Sequence, residues 1–192
     1  MILDSFRLDN RVALVTGAAQ GLGQGYAIAL AEAGADVSGL DRVETTKTGT
    51  AITALGRRYL PITCDLREAS IDDLNQVIGR VVSEMGRLDI LVNNAGIIRR
   101  APAIEFNEKD WDDVLQINLK AVFFLAQAAA RVMVKQGAGK IINVASMLSF
   151  QGGVIVPSYT AAKSGVAGVT RALANEWAKY NILVNCVAPG LM

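Results

Sequence analysis

Tyr159 and Lys163 form the most reactive side-chain pairing in the sequence. Positions i and i+4 share a helix face, so a phenol and an ammonium can stand side by side. A free phenol has a pKa of about 10 and is a poor base at neutral pH. A neighbouring positive charge favours the phenolate and brings the group towards useful proton exchange. The chain contains no histidine, which removes Ser-His-Asp triads, Cys-His nucleophiles and His-ligated zinc. Its two cysteines, Cys64 and Cys186, supply neither a thiolate metal centre nor a disulfide scaffold, so no metal is expected. Tyrosine is then the best acid–base group on offer. Alone, the spacing would carry little weight.

The elements around the pair give it weight. Short apolar runs at 11–16, 36–41, 59–64, 90–93, 140–145 and 182–187 read as strands. Amphipathic stretches at 21–34, 71–85, 108–136 and 159–180 read as helices. Strands that are apolar throughout, alternating with helices, predict a parallel sheet covered on both faces. Right-handed crossovers give an open, doubly wound α/β sheet, of Rossmann type if the strand order is 3-2-1-4-5-6. No repeat or linker is visible, so residues 1–192 read as one domain. That strand order would set Cys64 and Cys186 at opposite edges, too distant to bridge.

Ligands of such sheets bind at the carboxyl ends of the strands. Directly after the first strand comes Thr16-Gly-Ala-Ala-Gln-Gly-Leu-Gly23, leading into a helix. Glycines there let backbone approach a ligand, and the helix N-terminus offers free N–H groups to an anion such as pyrophosphate. Asp41 ends the second strand, where a carboxylate can accept from both ribose hydroxyls and repel a 2′-phosphate. This favours NAD over NADP. Arg42 argues the other way, because a guanidinium could pair with that phosphate. Asp65 could meet the adenine amino group or simply cap a helix. Asn93-Asn-Ala-Gly96, Ser146 and Pro189-Gly190 end the fourth, fifth and sixth strands at the same edge. Asn118 stands among Leu115, Ile117, Leu119, Val122 and Phe123, where a polar group needs a partner.

Taken together, Thr16-Gly-x-x-x-Gly-x-Gly23, Asn93-Asn-Ala-Gly96, Asn118, Ser146, Tyr159-x-x-x-Lys163 and Pro189-Gly190 resemble the short-chain dehydrogenase/reductase family in type, order and spacing. The resemblance implies that Tyr159 is the general acid/base and that Lys163 supports it and binds the nicotinamide ribose. It implies that Ser146 holds the substrate oxygen and that Asn118 holds a water linking Lys163 to solvent. The dinucleotide would rest on Gly17, Gln20, Gly21, Leu22, Gly23, Asp41, Asp65, Leu66, Asn93, Ala95, Gly96, Tyr159, Lys163, Pro189 and Gly190.

Less generic segments, at 94–100, 106–113, 145–153 and 175–179, resemble members of that family that act on sugar acids, which implies a small sugar-acid substrate. An aldonate carboxylate calls for a guanidinium, and Arg99 and Arg100 are the candidates, either of which could equally be a solvated loop residue. Two other readings stay open. One is a ketone reductase of carrier-bound acyl groups, which would favour NADP and a basic docking surface. The other is a dinucleotide-binding protein without turnover.

The balance of Lys+Arg 19 against Asp+Glu 18 gives no general reason to bind nucleic acid or an anionic membrane. The uncharged run 141–162 contains Asn143, Ser146, Ser149, Gln151 and Pro157, too polar for a membrane span. Residues 1–7 lack the pattern of a signal peptide, so a cytoplasmic location is expected. Val122, Phe123, Phe124, Leu173 and Trp177 exceed what one sheet face needs, which either core packing alone or a homo-oligomer would explain, and the resemblance implies a tetramer. It also implies a further stretch beyond Pro189-Gly190, with a seventh strand and a substrate lid. Either the sequence is incomplete or this is a truncated form, and in a truncated form cofactor binding is expected to outlast turnover.

Overall fold

Six parallel strands in the order β3-β2-β1-β4-β5-β6 form the centre of the computed structural model, which describes residues 2–190. They are β1 (Val12–Thr16), β2 (Asp36–Asp41), β3 (Tyr59–Thr63), β4 (Ile90–Asn93), β5 (Gly139–Val144) and β6 (Ile182–Val187). Side chains alternate between the two faces, as the pleat requires. Ala13, Val15, Val37, Ile90 and Val92 meet α1 (Gly21–Glu32) and α2 (Thr46–Ala54) on one side. Leu14, Leu40, Leu91 and Ile141 meet α3 (Ile71–Met85), α5 (Ala121–Gln136) and α6 (Pro157–Trp177) on the other. α4 (Glu108–Leu115) leads into α5.

The expected strand order is the observed one. Cys64, just past β3, and Cys186, in β6, are free thiols at opposite ends of the sheet. α2 was not expected: its sequence, Thr46-Lys-Thr-Gly-Thr-Ala-Ile-Thr-Ala, buries only Thr48 and Ile52 and so shows little apolar stripe. The stretch 108–136 is helical throughout but not uniform. At Gln116–Lys120 it widens into a π turn, in which Ala121 N–H donates to Gln116 O. This stretch is long and apolar enough to cross a membrane by length and composition, yet Leu125, Ala126, Ala129 and Met133 lie in the core. α6 begins at Pro157, two residues before the expected start, because proline suits the first helical turn.

Of the apolar residues credited to a subunit contact, Val122, Leu173 and Trp177 are buried within the chain. Phe123 and Phe124 are only half-buried and stack edge to face. Two backbone features are uncommon. Ile155 adopts φ 59°, a left-handed conformation unusual for a β-branched residue, and its carbonyl accepts from Ala101 N–H at 3.0 Å. β3 is an outer strand of the sheet and carries Pro61 at its middle.

At the amino edge of the sheet Asp89 accepts two bonds of 2.7 Å from Arg87, one of 3.1 Å from Arg11, and one of 2.9 Å from Val12 N–H. Burial opposes ionisation of this carboxyl, but the arginines and the amide outweigh it and hold its pKa below the usual carboxylate range.

Candidate active site

A cleft of about 400 Å³ opens at the carboxyl edge of β1, β4, β5 and β6. Leu22, Asn94, Gly96, Ile97, Ile98, Ser146, Met147, Leu148, Tyr159, Lys163, Pro189 and Gly190 line it. Ser146, Tyr159 and Lys163, expected together from their spacing, are thus brought into one cavity.

Ser146 follows β5 and opens a single 3-10 turn, Met147–Ser149. Its Oγ accepts from Leu148 N–H at 3.2 Å, which leaves the hydroxyl hydrogen free to donate into the cleft. Lys163 projects from α6 back to the end of β5, where Nζ donates to Val144 O. It is only 3% exposed, and burial lowers its pKa to about 8. Its Nζ stands 5.7 Å from the centre of the Tyr159 ring. The Tyr159 hydroxyl makes no hydrogen bond among the described residues and is available to a ligand.

Asn118 lies fully buried in the π turn. Its Oδ1 accepts from Ile97 N–H at 2.9 Å and its Nδ2 donates to Ile97 O at 2.8 Å. The side chain anchors the Ile97 backbone on the cleft wall, using one donor and one acceptor of its amide.

The turn after β1 is built for close backbone packing. A Cβ on Gly23 would lie 2.0 Å from Gly17 O, and Gly17 itself has φ 70°. The residue before α1, Gln20, provides no side-chain cap, and a Cβ on Gly21 would meet open space. The first-turn N–H groups, including those of Leu22 and Gly23, therefore face an open approach suited to an anion. A dinucleotide pyrophosphate fits these residues.

Asp41 ends β2 beside this turn. Its Oδ2 accepts from Ala19 N–H at 3.0 Å and its Oδ1 from Arg42 N–H at 2.7 Å. Oδ1 also accepts a longer bond from Val43 N–H at 3.4 Å, so the lone pair that remains for a ribose hydroxyl is on Oδ2. Asp65 follows β3 at the same edge but is engaged by Arg67, through the backbone N–H at 3.0 Å and the guanidinium at 3.4 Å. Leu66 packs its side chain into the core, and its carbonyl accepts from Gln116.

The Asn93 side chain is buried, its Nδ2 donating to Asn143 Oδ1 at 3.0 Å and to Val122 O at 3.2 Å, beneath α5 and away from the cleft. Consecutive strand residues face opposite ways, so the residue that serves the turn is Asn94. Its Nδ2 donates to Thr16 O at 2.9 Å. Thr16 Oγ1 in turn accepts from the N–H groups of Asn94 and Ala95, both at 3.0 Å. Spacing alone could not choose between adjacent asparagines; the facing rule for β4 could have. Neither arginine lines the cleft. Arg99 Nε pairs with Asp110 Oδ1 at 3.1 Å, whereas Arg100 is exposed without a side-chain partner among the described residues.

The family model described as short chain dehydrogenase matches residues 11–192. The 2-dehydro-3-deoxy-D-gluconate 5-dehydrogenase of Escherichia coli (strain K12) is 61% identical over 193 residues, covering 100% of this chain and 76% of that protein. A crystal structure from Agrobacterium tumefaciens, provisionally assigned as a 2-deoxy-D-gluconate 3-dehydrogenase with bound NADP, superimposes with TM-score 0.88 at 49% identity. The match covers 96% of this chain and 73% of that one. Carveol dehydrogenase from Mycobacterium avium, in complex with NAD, superimposes with TM-score 0.90 at 30% identity, over 95% of this chain and 71% of that one.

Proposed function

Since the chain belongs to the short-chain dehydrogenase family, we propose that it interconverts a secondary alcohol and a ketone on a sugar acid, with NAD as its dinucleotide. The substrate class is that of the 2-dehydro-3-deoxy-D-gluconate and 2-deoxy-D-gluconate enzymes it is similar to. The observation that carries this reading is the convergence of Ser146, Tyr159 and Lys163 on one cleft beside an uncapped helix N-terminus.

The 17–23 turn would hold the pyrophosphate, Asp41 the adenosine ribose, and Lys163 the nicotinamide ribose. When bound, the nicotinamide supplies or accepts the hydride at the carbinol carbon. The protein manages the proton and the orientation. Ser146 donates to the substrate oxygen, held in place by the Leu148 N–H on its Oγ. Tyr159 gives a proton to that oxygen during reduction and removes it during oxidation. The Lys163 ammonium stabilises negative charge on the Tyr159 oxygen while it waits. At least one of Arg99, paired with Asp110, and Arg100, without a side-chain partner among the described residues, recognises a substrate carboxylate. Asp41 supports NAD. NADP is the second reading, favoured by its presence in the Agrobacterium tumefaciens structure, and Arg42 would take its extra phosphate.

A groove of about 790 Å³ along the outer faces of α4, α5 and α6, lined in part by Leu115, Leu119, Phe123, Phe124 and Val169, supports a homo-oligomer, which we take to be a tetramer. A small-molecule enzyme of one domain, residues 1–192, working in the cytoplasm completes the reading.

The test follows reduced-nicotinamide absorbance with a panel of sugar acids. Turnover should appear with a 2-deoxy or 2-dehydro-3-deoxy gluconate and fall about a hundredfold or more in Tyr159→Phe. Unchanged turnover in that variant would falsify the mechanism.

A further inference from the structure

α2 supplies one polar contact to the phosphate turn that its own helical chemistry does not require. Threonines in helices usually return their hydroxyl to the carbonyl one turn back. Thr50 and Thr53 do this within α2, donating to Thr46 O at 3.0 Å and Gly49 O at 2.9 Å. Thr48 does not. Fully buried, its Oγ1 donates at 2.7 Å to Ala18 O, in the turn between β1 and α1. The same oxygen accepts from Gln24 Nε2 of α1 at 3.0 Å, so the hydroxyl hydrogen can point only at Ala18.

Ala18 C=O and Ala19 N–H belong to one peptide unit, and the N–H side is held by Asp41 Oδ2 at 3.0 Å. A single peptide plane between Gly17 and Gly21 is thus fixed at both ends by side chains. Neither bond belongs to a strand or a helix. Ala18 is fully buried, and a Cβ on Gly39 of β2 would come within 3.1 Å of the Ala18 Cβ, so the plane has little room to shift bodily. Its orientation sets the direction in which the chain enters α1, and hence the aim of the first-turn N–H groups.

We infer that Thr48 is a positioning residue for dinucleotide binding, acting through the Ala18–Ala19 peptide and braced by Gln24. The inference rests on the proposed dinucleotide site but not on the identity of the substrate. Losing the hydroxyl frees the peptide to rotate and leaves a buried carbonyl without a donor.

NADH and NADPH are titrated by fluorescence into the whole chain and three variants, with thermal unfolding run alongside. Thr48→Val should weaken NADH binding about tenfold, Gln24→Met about threefold, and Thr48→Ser should bind within about twofold of wild type. A purely structural part for Thr48 would lower the unfolding temperature and leave affinity unmoved. Wild-type affinity in a folded Thr48→Val protein overturns the inference, as does a Thr48→Ser variant no better than Thr48→Val. If Thr48→Val does not fold, Gln24→Met decides: unchanged affinity overturns the inference and a loss upholds it. A wild-type chain that binds neither nucleotide overturns the dinucleotide site itself and the inference with it.

Discussion

A lysine 3% exposed, with no carboxylate on it among the described residues, is an expensive thing to fold around a backbone carbonyl. Burial lowers the pKa of Lys163 to about 8, against about 10.4 in an unfolded chain. Between those values the unfolded chain binds the extra proton, so stability rises with pH across that window. Relative to Lys163→Met, wild type should gain up to about 3 kcal/mol between pH 8 and pH 10.4, and none below it. Urea unfolding at a series of pH values measures the gap; a flat difference would remove this account of burial. The same residue shows what the sequence makes legible. Tyr159 and Lys163 are visible because four residues is one helical turn, a local rule that survives folding. Asn93 and Asn94 are not separable that way, because the strand sends them to opposite sides and only one side holds the cleft.

Between residue and fold stand the short elements that keep the catalytic groups in register. The 3-10 turn Met147–Ser149 joins the Ser146 strand end to α6. Ser149 Oγ accepts from Ser146 N–H at 3.2 Å and donates to Lys163 O at 2.7 Å, while Ser164 Oγ reaches Leu148 O at 3.4 Å. Removing the Ser149 hydroxyl should let Ser146 drift relative to Tyr159 without touching the phosphate turn. Orientation errors of that kind are costly to rate. We expect Ser149→Ala to lower kcat about tenfold while leaving NADH affinity within twofold, read by steady-state kinetics and fluorescence titration. Elements of this sort escape the sequence. A serine in a three-residue turn has no periodicity, and α2 conceals itself by burying two residues of nine. The π turn is equally silent, since Asn118 betrays only that a buried amide needs a partner and not that the helix must widen to supply one.

At the scale of the whole molecule, the sheet separates two kinds of polar cluster. The carboxyl edge gathers the cleft, while Asp89 and its arginines stitch the amino edge together. Distance along the strands should make the two independent. Asp89→Asn should therefore cost about 2 kcal/mol of stability, since hydrogen-bonded charge is lost at a site partly open to water, with NADH affinity unchanged. Denaturant titration and nucleotide titration on the same variant check both halves. The strand order itself was readable, because apolar runs and right-handed crossovers leave few alternatives.

The outer strand β3 has a consequence for how these molecules behave in a crowd. Cys64 N–H donates inward to Asp41 O, and the parallel ladder alternates, so the amide position of residue 61 points away from the sheet. Proline occupies it and has no hydrogen to offer. An incoming strand from a neighbour would lose its central rung at that border, so fibrillar stacking cannot propagate there at the strength of an ordinary β seam.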